Sequence, residues 1–388
     1  MNGAFLCIVC ISQHLSGKVY LGGNTIHLSS VCRTSSTCVE VEKAMQSADL
    51  AQASKILIWN KRFMSFLGLW PCKVNQPLFV FLIVYMIIYC IMAAGHLMKN
   101  INQPERVVAN LTDNVAFVMI MGKMFICRRS CEIMAKFLKS IEIDFSTEAY
   151  DNVREKMAYL YYNDIALVFI KYTTFLTGVS SIWYYFRRVL GNWNAICGYA
   201  GLDAFVLSMV LHVCGQFAAL SCKIDNLLRD HENYHRHISN IILRHRHLIK
   251  LAGILEDNFN LICLQQTLGT VFLLCFTLYH MITTLEHAEK ATVVSFLLYV
   301  CGVLSTYLAY CYISECLITE STRLRETFYN SDWYNNPPSR TKLISICMSQ
   351  AEKPLTLTAG KFYMLSLNMF TNIVKTAMAY LSVLRQFM

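Results

Sequence analysis

An all-α membrane protein with seven transmembrane helices is the fold class that this sequence predicts. Three observations predict it. Of 388 residues, 55% are hydrophobic and 15% charged, whereas soluble domains carry about 25% charged residues. The apolar residues gather into seven runs near the length of a membrane crossing, and most basic residues lie between the runs. Six prolines and 16 glycines leave no room for long low-complexity linkers, and no repeat recurs at a fixed period.

A helix rises about 1.5 Å per residue, so crossing about 30 Å of hydrocarbon takes about 20 residues. In chain order the spans are Pro77–Leu97, Leu111–Cys127, Ile165–Tyr185, Ala195–Leu220, Leu261–Leu285, Ala291–Ile313 and Lys361–Leu384. The first, fifth and sixth are the strongest. The second is short and carries Lys123; the third and seventh hold Lys171 and Lys375.

Seven spans put the two tails on opposite sides, and the Lys/Arg count selects the orientation. The N-terminal tail, the loops after the second and fourth spans, and the segment before the last span together hold 25 Lys and Arg; the other side holds 6. The N-terminus is therefore expected in the cytoplasm and the C-terminus outside, opposite to a G-protein-coupled receptor. The sequon Asn110-Leu111-Thr112 then falls outside, making Asn110 the candidate glycosylation site. The net charge of +9 is spread over these loops and forms no single patch, so nucleic acid is not an expected partner; membrane lipid is.

Residues 1–56 read as a cytoplasmic tail, Ser/Thr-rich and poorly ordered, with an apolar run at Ala4–Ile11 that lacks the basic flank of a signal peptide. Seventeen cysteines are scattered through apolar segments. Neither Cys7/Cys10 nor Cys127/Cys131 has a matching second pair, so no metal is expected. Between the fourth and fifth spans, Lys223–Asn260 contains His231, His235, His237, His245 and His247. Carboxylate partners are sparse there, so the segment reads as a solvated helix that prolongs the spans. Glu315–Asn336 reads as a helix ended by Pro337-Pro338, and Arg340–Lys353 as a second short amphipathic piece before the last span.

The C-terminal residues resemble the insect odorant receptor family. Its signature stands here as Trp333-Tyr334, Met348–Ala351, Pro354-Leu355-Thr356-Leu357-Thr358-Ala359-Gly360-Lys361-Phe362, Leu365-Ser366-Leu367 and the ending Tyr380–Gln386. Gly68-Leu69-Trp70-Pro71 is similar to the family's entry to its first helix, and Leu211–Gln216 to its fourth-helix motif. The resemblance covers 57–388; the tail departs from the family's usual short N-terminus. It implies an odour-binding helical bundle (57–314), cytoplasmic anchor helices (315–360) and a pore-lining last helix (361–388). It also implies a volatile odorant as ligand and a shared olfactory co-receptor as partner, the two subunits forming a tetrameric cation channel in the plasma membrane of olfactory sensory neurons.

At about 100° per residue, Asn372, Thr376, Ala379, Val383 and Gln386 share a stripe about 80° wide on the last helix. Small and polar residues with one aliphatic ring suit a wet pore with a hydrophobic gate at Val383, and equally a close helix contact; the resemblance favours the pore. Lys375 flanks the stripe and is expected to face a neighbouring helix or reach the interface. For the ligand, Phe117, Met121, Phe175, Gly178, Trp183, Tyr184, Met209 and Tyr299 supply an apolar, aromatic lining, and Asp203 is an intramembrane carboxylate, costly unless it serves a role. The few membrane carboxylates do not pair with one another. With no phosphate loop, G-x-S-x-G or H-E-x-x-H, no enzyme and no cofactor are expected. A metabotropic seven-helix receptor would need the opposite topology, and a transporter would show inverted repeats; a gustatory receptor is a variant within the same superfamily.

Overall fold

The computed structural model describes residues 20–21, 24–25, 54–102, 104–145, 150, 152–186, 193–227, 234–284, 290–331, 333–335 and 338–386. The chain divides into two compact units, Met1–Asp49 and Leu50–Met388. In the first, the described residues are an antiparallel pair of two-residue strands, β1 (Tyr20–Leu21) and β2 (Asn24–Thr25). The rest of the tail predicted over 1–56 lies outside the described residues, up to residue 53.

The second unit is helical. Helix α1 (54–66) turns Ile56, Asn60 and Met64 inward at four-residue spacing. It ends at Gly68, whose φ of 70° is a left-handed value. Gly68 N–H donates to the Ser65 carbonyl at 3.0 Å and Leu69 N–H to that of Met64 at 2.8 Å, the paired bonds of a Schellman end. A Cβ at Gly68 would also meet the Asn75 carbonyl oxygen at 2.7 Å. Glycine is required there on both counts, which gives the Gly-Leu-Trp-Pro motif its physical content.

Asn75 caps α2 (Gln76–Lys99), accepting from Leu78 N–H at 3.4 Å. There follow α3 (Pro104–Arg129), α4 (Cys131–Asp144), α5 (Val153–Phe186), α6 (Trp193–Leu227), α7 (Tyr234–Thr284) and α8 (Lys290–Tyr329). After a short 3-10 turn (Trp333–Asn335) come α9 (Pro338–Gln350), a hairpin of β3 (Thr358–Ala359) and β4 (Tyr363–Met364), and α10 (Leu367–Gln386). Helix α6 is the centre: it packs against α5, α7 and α8, with further contacts to α3.

The seven predicted spans coincide in order with α2, α3, α5, α6, α7, α8 and α10. Among the described residues, Gln76–Lys99, Gly201–Asp225, Ile238–Tyr279 and Leu297–Tyr329 are long and apolar enough to cross a membrane by length and composition. The other three spans are interrupted by polar residues, including Lys123, Lys171 and Lys375.

Three local expectations are corrected. The separate helix expected at Glu315–Asn336 is the continuation of α8, 40 residues long, about 60 Å and twice a hydrocarbon thickness. Pro338 opens α9, where a missing N–H costs nothing. The last span does not start at Lys361 in helix: 358–364 form the hairpin, and helix begins only at Leu367. Helix α7, at 51 residues, joins the histidine-containing segment to the fifth span without a break.

Candidate ligand-binding and pore-lining elements

A buried ion pair ties the bundle interior. Lys123 Nζ of α3 lies 2.6 Å from Asp203 Oδ1 of α6 and donates to Gln266 Oε1 of α7 at 2.7 Å. Tyr310 of α8 donates its hydroxyl to the same Asp203 oxygen at 2.6 Å, and Lys123 Nζ sits 5.6 Å from the Tyr310 ring centre. Lys123, Asp203 and Gln266 are no more than 1% exposed. Four helices therefore meet at one charge pair. Lys123, which made the second span weak, is Asp203's partner. The Asp203 Oδ2 atom remains buried without a hydrogen-bond partner.

The predicted ligand residues divide. Phe117 is buried and stacks on Tyr89, ring centres 4.1 Å apart; Met209 is buried in α6; Met121 and Tyr299 are half-buried. Phe175 is 70% exposed and points away from the core. The side chains of Gly178, Trp183 and Tyr184 lie outside the described residues. The structure thus joins Asp203 to Lys123 and Phe117 to Tyr89. A cleft of about 470 Å³ opens elsewhere, between the ends of α8 and α9, lined by Arg325, Glu326, Tyr329 and Met348.

A second polar cluster escaped the sequence reading. At the end of α4, Asp144 accepts from Arg244 of α7 at 2.5 Å and lies 3.2 Å from His212 Nε2 of α6. His212 Nδ1 faces the Tyr159 hydroxyl at 3.0 Å. Arg244 also donates to Gln216, whose amide donates to Tyr150 at 2.9 Å. Burial pushes the Asp144 carboxyl up, but His212 and Arg244 outweigh it and hold it below its ordinary value. His212 and Gln216 are the polar residues of the fourth-helix motif, four apart and hence on one face of α6. That spacing was the available signal; Asp144 and Arg244 carried none.

The C-terminal motif builds a hook. Glu256 of α7 accepts from the Thr358 backbone N–H at 2.9 Å and from the Thr358 hydroxyl. Gly360 N–H donates to the Asn260 carbonyl at 2.9 Å, and Leu367 N–H to Glu315 of α8 at 3.2 Å. Gly360 and Lys361 both have positive φ, 62° and 64°, and a Cβ on Gly360 would strike Leu264 Cδ2 at 2.7 Å. These contacts fasten the start of α10 to α7 and α8. Beyond them Asn372, Thr376 and Ala379 are exposed, as is Lys375 on their flank. The Val383 and Gln386 side chains lie outside the described residues. Asn110 sits within α3, its amide oxygen accepting from Asn114 at 2.6 Å.

A bundle of long apolar helices, with its charges paired inside and a terminal helix hooked on at one end, is a multi-pass membrane protein. The chain belongs to the 7tm odorant receptor family, whose sequence model matches residues 96–378. Odorant receptor 13a of Drosophila melanogaster is 26% identical over 227 residues, 53% of this chain and 54% of that relative. The odorant receptor coreceptor of Anopheles gambiae is 26% identical over 145 residues, 37% of this chain and 30% of the coreceptor. The matches thus span about half the length of the first and under a third of the second. The insect olfactory receptor OR5 from Machilis hrabei, solved in complex with eugenol, has the same fold: TM-score 0.71 at 13% identity, covering 87% of this chain and all of that one. The family is one of receptors, not enzymes.

Proposed function

We propose that this chain is the odour-binding subunit of a ligand-gated, non-selective cation channel, assembled with an olfactory co-receptor in the plasma membrane of olfactory sensory neurons. The observation that carries the reading is α10: it is fastened at its start to α7 and α8 and leaves Asn372, Thr376 and Ala379 uncovered. In a channel, that face meets the water-filled axis, with Val383 as gate and Gln386 beyond it. Residues 315–360 serve as the anchor below the membrane, and 361–388 as the pore segment. The Lys/Arg distribution supports a cytoplasmic N-terminus and places Asn110 outside. Volatile ligands enter among the outer halves of the spans, where Phe117, Met121 and Tyr299 supply apolar surface.

Patch-clamp recording of cells expressing the chain with and without the co-receptor, over a panel of volatiles, tests this. An odour-evoked current that survives G-protein blockade, and whose ion permeability changes with Gln386→Ala, is the expected result. Loss of the current under G-protein blockade would favour a metabotropic receptor. An epitope after Met388 should be accessible on intact cells.

A further inference from the structure

Helix α1 presents a surface that odour binding and conduction leave unused. Opposite its inward face, Ile58, Trp59 and Phe66 are 50%, 43% and 48% exposed, beside exposed Lys55, Lys61 and Arg62. At about 100° per residue, Lys55, Arg62, Phe66 and Trp59 fall within about 60° of one another, and Ile58 and Lys61 continue the face. The Arg62 guanidinium carbon lies 5.7 Å from the Trp59 ring centre. No acidic residue occurs between Asp49 and Glu105, so these cations have no carboxylate on their own element or on α2.

The helix is also fixed in height. The Gly68 turn delivers the chain to the Asn75 cap of α2, the first membrane helix. Phe63 packs on α6 so closely that a Cβ on Gly201 would lie 2.7 Å from Phe63 Cβ. Gly201 is two residues from Asp203, the partner of Lys123, and Lys123 is six residues from the end of α3 at Arg129. So α1 packs at the level of the Lys123–Asp203 pair, about 9 Å along α3 from its end at Arg129. Charges of α4 converge there: the Cys72 thiol is pushed up by burial and by Glu142 of α4, and drawn down less by Lys139 of α4 and Lys61 of α1.

We propose that α1 is an in-plane interfacial helix that binds anionic phospholipid of the inner leaflet, Ile58, Trp59 and Phe66 entering the acyl boundary while Lys55, Lys61 and Arg62 hold the phosphates. Large apolar side chains interleaved with cations that no carboxylate of α1 or α2 opposes are what the headgroup boundary accommodates: tryptophan prefers that level, and the negative leaflet attracts the cations. A water-exposed helix would not leave three large apolar residues bare, and a protein partner would have to bring several carboxylates.

The proposal rests on the membrane orientation given above, but its readouts are lipid contacts and need no odour-gated current. The full-length chain is reconstituted in nanodiscs of phosphatidylcholine with or without phosphatidylserine. Shallow-brominated lipid should quench Trp59, so Trp59→Phe removes a quenchable fraction of the emission. K61Q/R62Q should lower the retention of phosphatidylserine over phosphatidylcholine by about fivefold per cation, read by native mass spectrometry. Unchanged quenching in Trp59→Phe, or unchanged lipid preference in K61Q/R62Q, overturns the proposal. So does shielding of Trp59 that arises only when the co-receptor is reconstituted alongside, because a subunit then covers the face.

Discussion

Helices α6 and α2 are alike in sequence terms, each long and apolar enough to cross a membrane, yet their surroundings are opposite. The most apolar stretch within Gly201–Asp225 is 94% buried, and that within Gln76–Lys99 only 22%. Helix α6 carries Asp203, Ser208, His212, Gln216 and Ser221, all buried; α2 presents Val80, Phe81, Ile88, Ile91 and Met92 outward. The more polar helix is the inner one. In lipid this is the expected order, because a polar group is satisfied only by another part of the protein. Hydropathy registers that a helix avoids water; it does not distinguish a lipid neighbour from a protein one.

The largest expected effect breaks the comparison at its centre. Asp203→Ala strands a buried Lys123 ammonium and should cost about 3–5 kcal/mol, seen as a collapse of the thermal midpoint of the solubilised receptor. K123M/D203L should recover most of it. Wild-type stability in Asp203→Ala would mean that the pair is not dry.

Next comes a matched pair of truncations. Phe205→Ala in α6, where Phe205 is 1% exposed, should cost about 3–5 kcal/mol. Phe81→Ala in α2, where Phe81 is 65% exposed, should stay within about 0.5 kcal/mol. Equal losses in the two melting curves would dissolve the distinction between inner and outer helix.

The half of α7 that precedes the membrane extends the contrast to pH. His245 is 2% exposed, packs 5.6 Å from the Phe328 ring and leaves Nδ1 unpartnered; burial pushes its pKa from 6.5 down to about 4. The unfolded chain therefore binds a proton as pH falls through 6.5, and the folded chain does not until about 4. Its effect on stability is flat above pH 6.5 and falls between these values, by at most about 3 kcal/mol. His245→Phe should flatten that slope in unfolding measured across pH.

The last prediction concerns the hook. Gly360→Ala forces a side chain onto a positive φ and into Leu264, costing about 1–3 kcal/mol. Because the hook fastens α10, the same variant should also shift odour-evoked current, which recording alongside the melting curve would detect.

The spans were readable because a bilayer demands about 20 apolar residues in a row, and runs of that length stand out at Pro77–Leu97 and Ala291–Ile313 without any knowledge of neighbours. The hook was readable as a motif but not as a shape: the predicted last span starts at Lys361, whereas successive positive φ values at Gly360 and Lys361 form a hairpin turn. The pairing of Lys123 with Asp203 was missed because the two are 80 positions apart and each, taken alone, looked like a defect in its span. Asp144 and Arg244 looked like ordinary loop charges for the same reason.

The sequence by itself determined that the chain is a multi-pass helical membrane protein with its basic residues biased to one side, since both follow from local composition over windows of one helix. Only the tertiary structure decided which helix lies at the centre, which charges neutralise each other, and where the last helix is fastened. Those outcomes depend on side chains that meet across distances no periodicity encodes. A buried charge is stable or ruinous according to what stands within about 3 Å of it, and in this chain that neighbour comes from another helix.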